Sequence, residues 1–109
     1  MLEHAAFIEN LESTFHLRLN GSETLELQLV EVSEPRKTRL QEMFAVVFRG
    51  RSGGVLPQKI YRLEHEKMGQ LDLFLVPISQ EGQEVCYEAV FNRVFKESES
   101  SSAASYSSD

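Results

Sequence analysis

The sequence predicts an all-β domain with one short N-terminal helix, in which about six antiparallel strands form a meander closed into a small barrel or folded into a two-sheet sandwich. Apolar and polar residues alternate with a period of two through much of residues 15–95, as they do in half-buried strands. Turn-forming residues interrupt the alternation at intervals of roughly 8–14 residues, which is typical of small antiparallel folds. A chain of 109 residues has room for one such domain.

The first elements are a helix and a hairpin. Residues 3–14 carry apolar side chains at roughly helical spacing, which predicts a short amphipathic helix ending near Ser13. We expect this helix to plug one end of the barrel or to lie across an open edge. Strands are predicted over residues 15–20 and 24–32, and Asn20-Gly21 between them is a strong hairpin-turn signal.

The middle of the chain combines a polar connection with an apolar strand. Residues 33–42 are polar and charged and predict a connection. Residues 43–50 are apolar on both faces, which predicts a central strand covered from both sides. The segment GRSGG at 50–54 predicts a hairpin turn in which glycine takes a positive φ.

Three further strands are predicted at residues 59–65, 70–78 and 84–95. Pro57 precedes the first of them and Pro77 limits the second, because proline lacks the N–H that a ladder requires. A barrel that failed to close would leave the first and last strands unpaired, and we expect homo-oligomers to form through such edges.

The composition changes near residue 96. Residues 1–96 form the predicted β-rich domain with its helix, whereas residues 97–109 (ESESSSAASYSSD) predict a disordered, acidic, serine-rich tail. The N-terminus lacks the basic and apolar regions of a signal peptide, so we expect a cytoplasmic protein or a component of a particle assembled in the cytoplasm.

The charge and the cysteine content exclude several classes of binding partner and bound metal. The net charge of −6 argues against nucleic acid and anionic membranes, which require a basic surface. No apolar run approaches the roughly 20 residues of a transmembrane helix. One cysteine excludes an internal disulfide framework and a multi-cysteine zinc site. The sequence therefore predicts no cofactor and no metal.

Among the side chains that could act in catalysis or bind a metal, His65 is the strongest candidate. It lies at a strand end beside Glu64, but adjacent strand residues point to opposite faces. We therefore expect a structural imidazole that hydrogen-bonds to the backbone of the following turn. An interaction contact is a second possibility, and a hydrolase or metal-dependent enzyme centred on His65 with Glu64 or Glu88 is a third.

Three other polar residues are predicted to have structural roles. The amides of Gln58 and Asn92 are placed to satisfy backbone groups at a turn or a barrel seam. Glu88 is expected on the outer face, paired across strands with Arg62 or Arg49.

The candidate interaction residues are charged or apolar and lie on predicted outer faces. Arg49 and Arg51 flank the glycine-rich turn as a small basic loop tip that could contact an acidic partner. Val30, Phe74 and Val90 are outward apolar side chains that could supply a contact surface. The candidate interaction residues are Arg49, Arg51, Arg62 and Phe74.

The string LPQKIYRLEHEKMGQLDLFLVPI at 56–78, followed by YEAVFN at 87–92, resembles an uncharacterised family of small bacterial domains. Earlier parts of the pattern are Phe7, Leu11, Phe15, Leu27, Leu29, Val32, Phe44, Phe48, Arg49 and Gly50. The resemblance covers about residues 5–93. It implies no catalytic set, and it implies a context beside phage-tail-collar-type proteins.

The sequence thus favours a non-enzymatic structural or protein-interaction module, with a tail-collar or fibre protein as the implied partner. The alternative is a small barrel that binds a sugar or an apolar metabolite in its mouth.

Overall fold

The computed structural model of the chain describes residues 3–51 and 54–95. It contains one short helix followed by seven strands. They are α1 (His4–Glu9), β1 (Thr14–Asn20), β2 (Glu23–Val32), β3 (Arg36–Lys37), β4 (Gln41–Arg51), β5 (Lys59–His65), β6 (Gly69–Glu81) and β7 (Glu84–Val94). The predicted serine-rich tail lies outside the described residues.

Six of the strands close into an antiparallel barrel. Their order is β2-β1-β5-β6-β7-β4, and a further pairing between β4 and β2 completes the circle. The barrel can be divided into two three-stranded units. One contains β1, β2 and β4, the other contains β5, β6 and β7, and they meet through the β1–β5 and β4–β7 pairs. The prediction of an all-β barrel with a short helix is confirmed.

The first and last strands do not have the free edges that an open meander would leave. β1 lies between β2 and β5, and β7 lies between β4 and β6. The short β3 is the extra strand, and among the strands of residues 3–51 and 54–95 it pairs only with the beginning of β4.

Alternating side chains explain why these segments are strands. Every second residue of β1, β2, β4, β5, β6 and β7 points into one shared core, which the two-residue period places on one face. The buried apolar residues are Phe7, Phe15, Leu17, Leu27, Leu29, Phe44, Val46, Phe48, Tyr61, Leu63, Leu71, Leu73, Leu75, Val85, Tyr87 and Ala89.

The helix is shorter than the sequence predicts and serves as a plug. It ends at Glu9 because Glu12 takes a left-handed φ of 71° and its N–H donates to the Leu29 carbonyl of β2. The fully buried ring of Phe7 lies against Phe44 and Phe91, with ring centroids 6.0 Å and 5.2 Å away. The helix thereby seals one end of the barrel.

Two predictions for the middle of the chain are corrected. Residues 33–42 contain β3 and the start of β4 in addition to the connection. β4 is also not covered from both sides. Its inner residues Phe44, Val46 and Phe48 are buried, whereas Ala45 and Val47 on the outer face are only half-buried.

Gly50 is part of a strand, not part of a turn. It lies in β4 between Leu27 of β2 and Val85 of β7. A Cβ added there would lie 2.5 Å from Leu27 Cδ2 and 3.2 Å from the Glu26 carbonyl oxygen. The glycine therefore provides space for close strand packing at the end of the strand predicted over residues 43–50, and it does not take the positive φ expected of a turn glycine.

Candidate functional site

The outer faces of β5, β6 and β7 carry exposed apolar side chains, among them the predicted contact residues Phe74 and Val90. Phe74 of β6 is 50% exposed, Ile60 is its direct cross-strand partner on β5 and is 65% exposed, and Val90 of β7 is 57% exposed. We call Ile60, Phe74 and Val90 the outer apolar patch. The third residue predicted for such a surface, Val30, is half-buried in β2 on another part of the barrel.

β6 exchanges one neighbour for the other halfway along its length. Its first part, Gly69–Leu75, pairs with β5. Its second part pairs with β7, from Val76 opposite Glu88 to Glu81 opposite Glu84. Beyond the Val76–Glu88 pair the ladder between β6 and β7 ends. We call the unpaired stretch between Gly69–Leu75 of β6 and the part of β7 after Glu88 the β6–β7 notch.

Glu88 lies at the closed end of this notch. It is half-buried on the outer face of β7, with Val47 as its neighbour on β4 and Val76 as its neighbour on β6. Its carboxylate forms no ion pair with any residue of segments 3–51 and 54–95. The predicted pairing of Glu88 with Arg62 or Arg49 is therefore wrong.

Arg62 pairs with Asp72 beside the outer apolar patch. The guanidinium Nε and Nη2 donate to the two carboxylate oxygens of Asp72 at 2.6 Å and 3.3 Å. Directly opposite positions on β5 and β6 produce this bidentate contact. The hydrogen bond from Arg62 lowers the pKa of Asp72, and the same pair raises the pKa of Arg62.

Arg49 and Arg51 lie in β4, not at the tip of a loop. Arg49 Nε and Arg51 Nη1 lie 3.9 Å and 4.0 Å from the carboxylate oxygens of Glu84 on β7. Arg49 also donates to Gln28 Oε1, at 3.4 Å. Cross-strand partners therefore occupy both guanidinium groups, which explains why they do not form an isolated basic patch.

His65 is buried at the end of β5, with 9% of its surface exposed. Its Nδ1 accepts hydrogen bonds from the backbone N–H groups of Lys67 at 3.0 Å and Met68 at 3.1 Å, in the turn that follows. Its Nε2 lies 2.8 Å from Ser13 Oγ. Because Nδ1 accepts two bonds, the neutral ring carries its proton on Nε2 and donates it to Ser13.

The Ser13–His65 pair lacks the proton arrangement of a nucleophile and its base. Ser13 Oγ donates to the Asn10 carbonyl at 2.5 Å while it accepts from the imidazole. To take the serine proton, Nε2 would need a free lone pair and Nδ1 would need a proton directed at two N–H donors. Burial lowers the pKa of His65, which keeps the imidazole neutral.

The two predicted amides have different surroundings. Asn92 Oδ1 accepts a hydrogen bond from Gln41 Nε2 at 2.8 Å, which links the outer faces of β7 and β4. Gln58 is exposed just before β5, where the nearby backbone is held by tyrosines instead. Tyr61 Oη donates to the Pro57 carbonyl at 2.5 Å, and Tyr87 Oη accepts from the Leu56 N–H at 3.0 Å.

A surface groove of about 720 Å³ lies between the α1–β1 connection and the β5–β6 turn. His65, Ser13 and Glu64 line it together with polar residues of both connections. Glu64 is held by Arg18, whose Nη2 donates at 2.9 Å and lowers the pKa of the carboxyl group. Within residues 3–51 and 54–95, no cluster of three metal-ligating side chains is present.

Ser13 and the surroundings of Glu88 are the features that sequence reasoning missed. Nothing in the sequence connects Ser13 to His65, because the contact depends on the helix ending early. The neighbours of Glu88 depend on strand register and on which strands close the barrel.

Among the described residues, no helix has the length and apolarity needed to cross a membrane.

A family model for a domain of unknown function matches residues 2–91 of the chain. No curated protein and no solved structure matches the chain significantly.

Proposed function

The chain belongs to the family described as Domain of unknown function (DUF6916), and we propose that this barrel is a non-enzymatic protein-interaction module. Its contact surface is the outer apolar patch of Ile60, Phe74 and Val90. Its partner is a protein of a tail-like or fibre assembly, which the domain joins as an accessory component. The proposed place of action is the cytoplasm or a particle assembled there.

The exposure of Phe74 and its neighbours is the observation that supports this proposal. Phe74 and Ile60 face each other on adjacent strands and keep half or more of their surface in water. Moving such side chains out of water is favourable by about 25 cal/mol per Å² of apolar area. Clustered exposed apolar side chains on a soluble protein are typical of contact surfaces.

The chemistry around His65 also favours an interaction module over an enzyme. The imidazole uses both ring nitrogens in contacts within the protein, and the carboxylate of Glu64 faces Arg18. These groups stabilise two connections at one end of the barrel. They are not arranged around a shared point where a substrate atom could bind.

Binding of a small ligand inside the barrel has less support. Core side chains from six strands point into the interior, and the Phe7 ring enters it from one end. A drug-sized ligand needs a cleft of roughly 300–1,000 Å³ with convergent polar groups. The sugar or metabolite site considered from the sequence would have to displace these packed side chains.

The assignment of the partner draws on the resemblance and on charge. The motif at 56–78 and 87–92 includes the strands that carry the outer apolar patch. The net charge of −6 disfavours nucleic acid, so a protein is the partner of choice. The resemblance to domains beside tail-collar proteins supports a tail-like or fibre protein.

Photo-cross-linking from position 74 in the native cell tests this proposal. A photoreactive phenylalanine analogue in place of Phe74 should yield one dominant cross-linked protein, a component of a tail-like or fibre assembly. Phe74→Asp should abolish co-purification of that protein. Leu19→Asp, at a 39%-exposed apolar residue on β1, is the matched control and should leave it unchanged.

Equal loss of co-purification in both variants, or in neither, would refute the outer apolar patch as the contact surface. A dominant cross-link to a protein unrelated to such assemblies would refute the assigned partner.

A further inference from the structure

We infer that an extended segment of the partner enters the β6–β7 notch and adds to the free edge of β6 as a further strand. This inference rests on the proposed function, because it specifies how the interaction module binds. The segment carries an apolar side chain that packs between Phe74 and Val90, and two positions nearer the closed end, where the segment leaves the sheet, a basic side chain that reaches Glu88.

The first part of β6 has hydrogen-bonding groups without strand partners. Residues Gly69–Leu75 are paired with β5 along one edge. No described strand pairs with the opposite edge, because the β7 ladder begins only at Val76. Backbone groups alternate in direction along a strand, so every second residue of this segment presents its N–H and C=O to the notch. An incoming extended backbone matches this pattern.

The two halves of β6 differ in their protection against strand addition. The second half contains Pro77 and a bulge between Pro77 and Ser79, which are common ways to make an edge unsuitable for pairing. The first half contains neither proline nor bulge. Its one charged residue, Asp72, turns toward Arg62 on β5, away from the notch. This half is therefore the part of the edge that accepts a strand.

The side chains around the notch specify the chemistry of the segment. Phe74 on β6 and Val90 on β7 project outward on its two sides, each at least half exposed. Glu88 lies at the closed end, flanked by Val47 and Val76, and is the nearest carboxylate without a cationic partner in the described part of the chain. Residues two apart on a strand share one face. An outward lysine or arginine two positions from an outward apolar residue therefore complements this surface.

Backbone amide exchange of the free protein gives the first test. If the edge is free, alternate amides within residues 69–75 should exchange rapidly with solvent, and the intervening amides, bonded to β5, should be protected. Uniform protection across residues 69–75 would show that the edge is already satisfied and would overturn the inference.

Titration with a synthetic peptide gives the second test. The probe is the end-blocked heptapeptide Ser-Val-Lys-Val-Leu-Val-Thr, whose lysine and leucine share one face. It is added to the isotope-labelled full chain up to about 1 mM, which half-saturates a site with a Kd of about 1 mM. We expect the rapidly exchanging amides of residues 69–75 to become protected. Absence of binding at this concentration would refute the inference.

Charge variants test the position of the basic side chain. Glu88→Gln should weaken binding of the peptide about threefold to tenfold, as expected for loss of a partly buried charge pair. Glu81→Gln changes the net charge equally at the other end of the β6–β7 ladder and should leave the affinity unchanged. A peptide with glutamate in place of lysine should bind more weakly than the probe. Equal affinities would overturn the assignment of Glu88.

The outcomes separate the inference from the proposed function. If Phe74→Asp abolishes co-purification of the cross-linked partner but the peptide does not protect residues 69–75, the interaction module stands and strand addition is wrong. If neither result is obtained, both are wrong.

Discussion

Replacement of His65 by alanine should lower the free energy of unfolding by about 2–4 kcal/mol. The change removes the acceptor of two backbone N–H groups and the donor to Ser13 Oγ. Each such bond contributes about 0.5–1.5 kcal/mol, and a donor left buried and unsatisfied costs more. The imidazole also packs on Phe15, with ring centroids 4.3 Å apart. Urea unfolding at neutral pH, followed by circular dichroism, measures the loss through the midpoint at constant m-value.

A second substitution separates the acceptor from the rest of the ring. In His65→Asn the side-chain oxygen can accept the N–H two residues on, as asparagine does in turns. We therefore expect roughly half of the loss to be recovered. His16→Ala is the control, because His16 lies on the outer face of β1 with nearly half of its side chain exposed. The reasoning is refuted if His65→Ala costs no more than His16→Ala.

The same site predicts a loss of stability in mild acid. Burial lowers the pKa of His65 in the folded state, with Glu66 opposing and Lys67 adding to this shift. The unfolded chain then binds the proton more tightly, so stability is complete above pH about 6.5 and declines as the pH falls below that value. His65→Asn should show a smaller decline. The lowered pKa values of Glu64 and Asp72 act at lower pH, near and below about 4.

Two further substitutions test the packing of the barrel. Gly50→Ala should destabilise the fold by about 1–3 kcal/mol, because the added methyl group overlaps Leu27. Gly54→Ala is the control, because a Cβ added there meets no atom of the described residues within 4 Å beyond its chain neighbours, and it should have little effect on the urea midpoint. Phe7→Ala should lower the free energy of unfolding by about 3–5 kcal/mol, because it leaves a cavity at the end of the barrel that α1 seals. Ile8→Ala, at the neighbouring residue that is 45% exposed, should lower it far less. Similar melting temperatures for the two variants would contradict the role of α1 as a plug.

The strands could be predicted from the sequence because alternation reports which face is buried. Residues 59–65 form β5 with the predicted bounds, and Phe74 and Val90 lie outside because they are out of phase with the core leucines. β6, at Gly69–Glu81, is longer than the strand that the sequence predicts over residues 70–78. Pro77 reads as a strand end, but a bulge beside it allows the strand to continue to Glu81.

The candidate site could be predicted only in part. The outward direction of Phe74 follows from local periodicity, but the β6–β7 notch depends on where two ladders begin and end. The contact of Arg49 with Glu84 depends on register in the same way, because β4 and β7 are distant in the sequence and the closed barrel sets their register. Arg62 and Asp72 lie opposite each other in the β5–β6 hairpin, so their pairing depends on the local turn that sets the register of these two strands.

The closing pairs of the barrel impose an order on its biogenesis. Gln41 pairs with Val94 and Leu17 pairs with Leu63. Strands that the ribosome synthesises early therefore cannot complete their pairing until the later strands have been synthesised. Non-local pairing of this kind slows folding to about milliseconds or seconds. A nascent chain that stops before β7 leaves β4 and β6 each with one unpaired edge, and premature termination there should produce aggregates in place of a smaller folded domain.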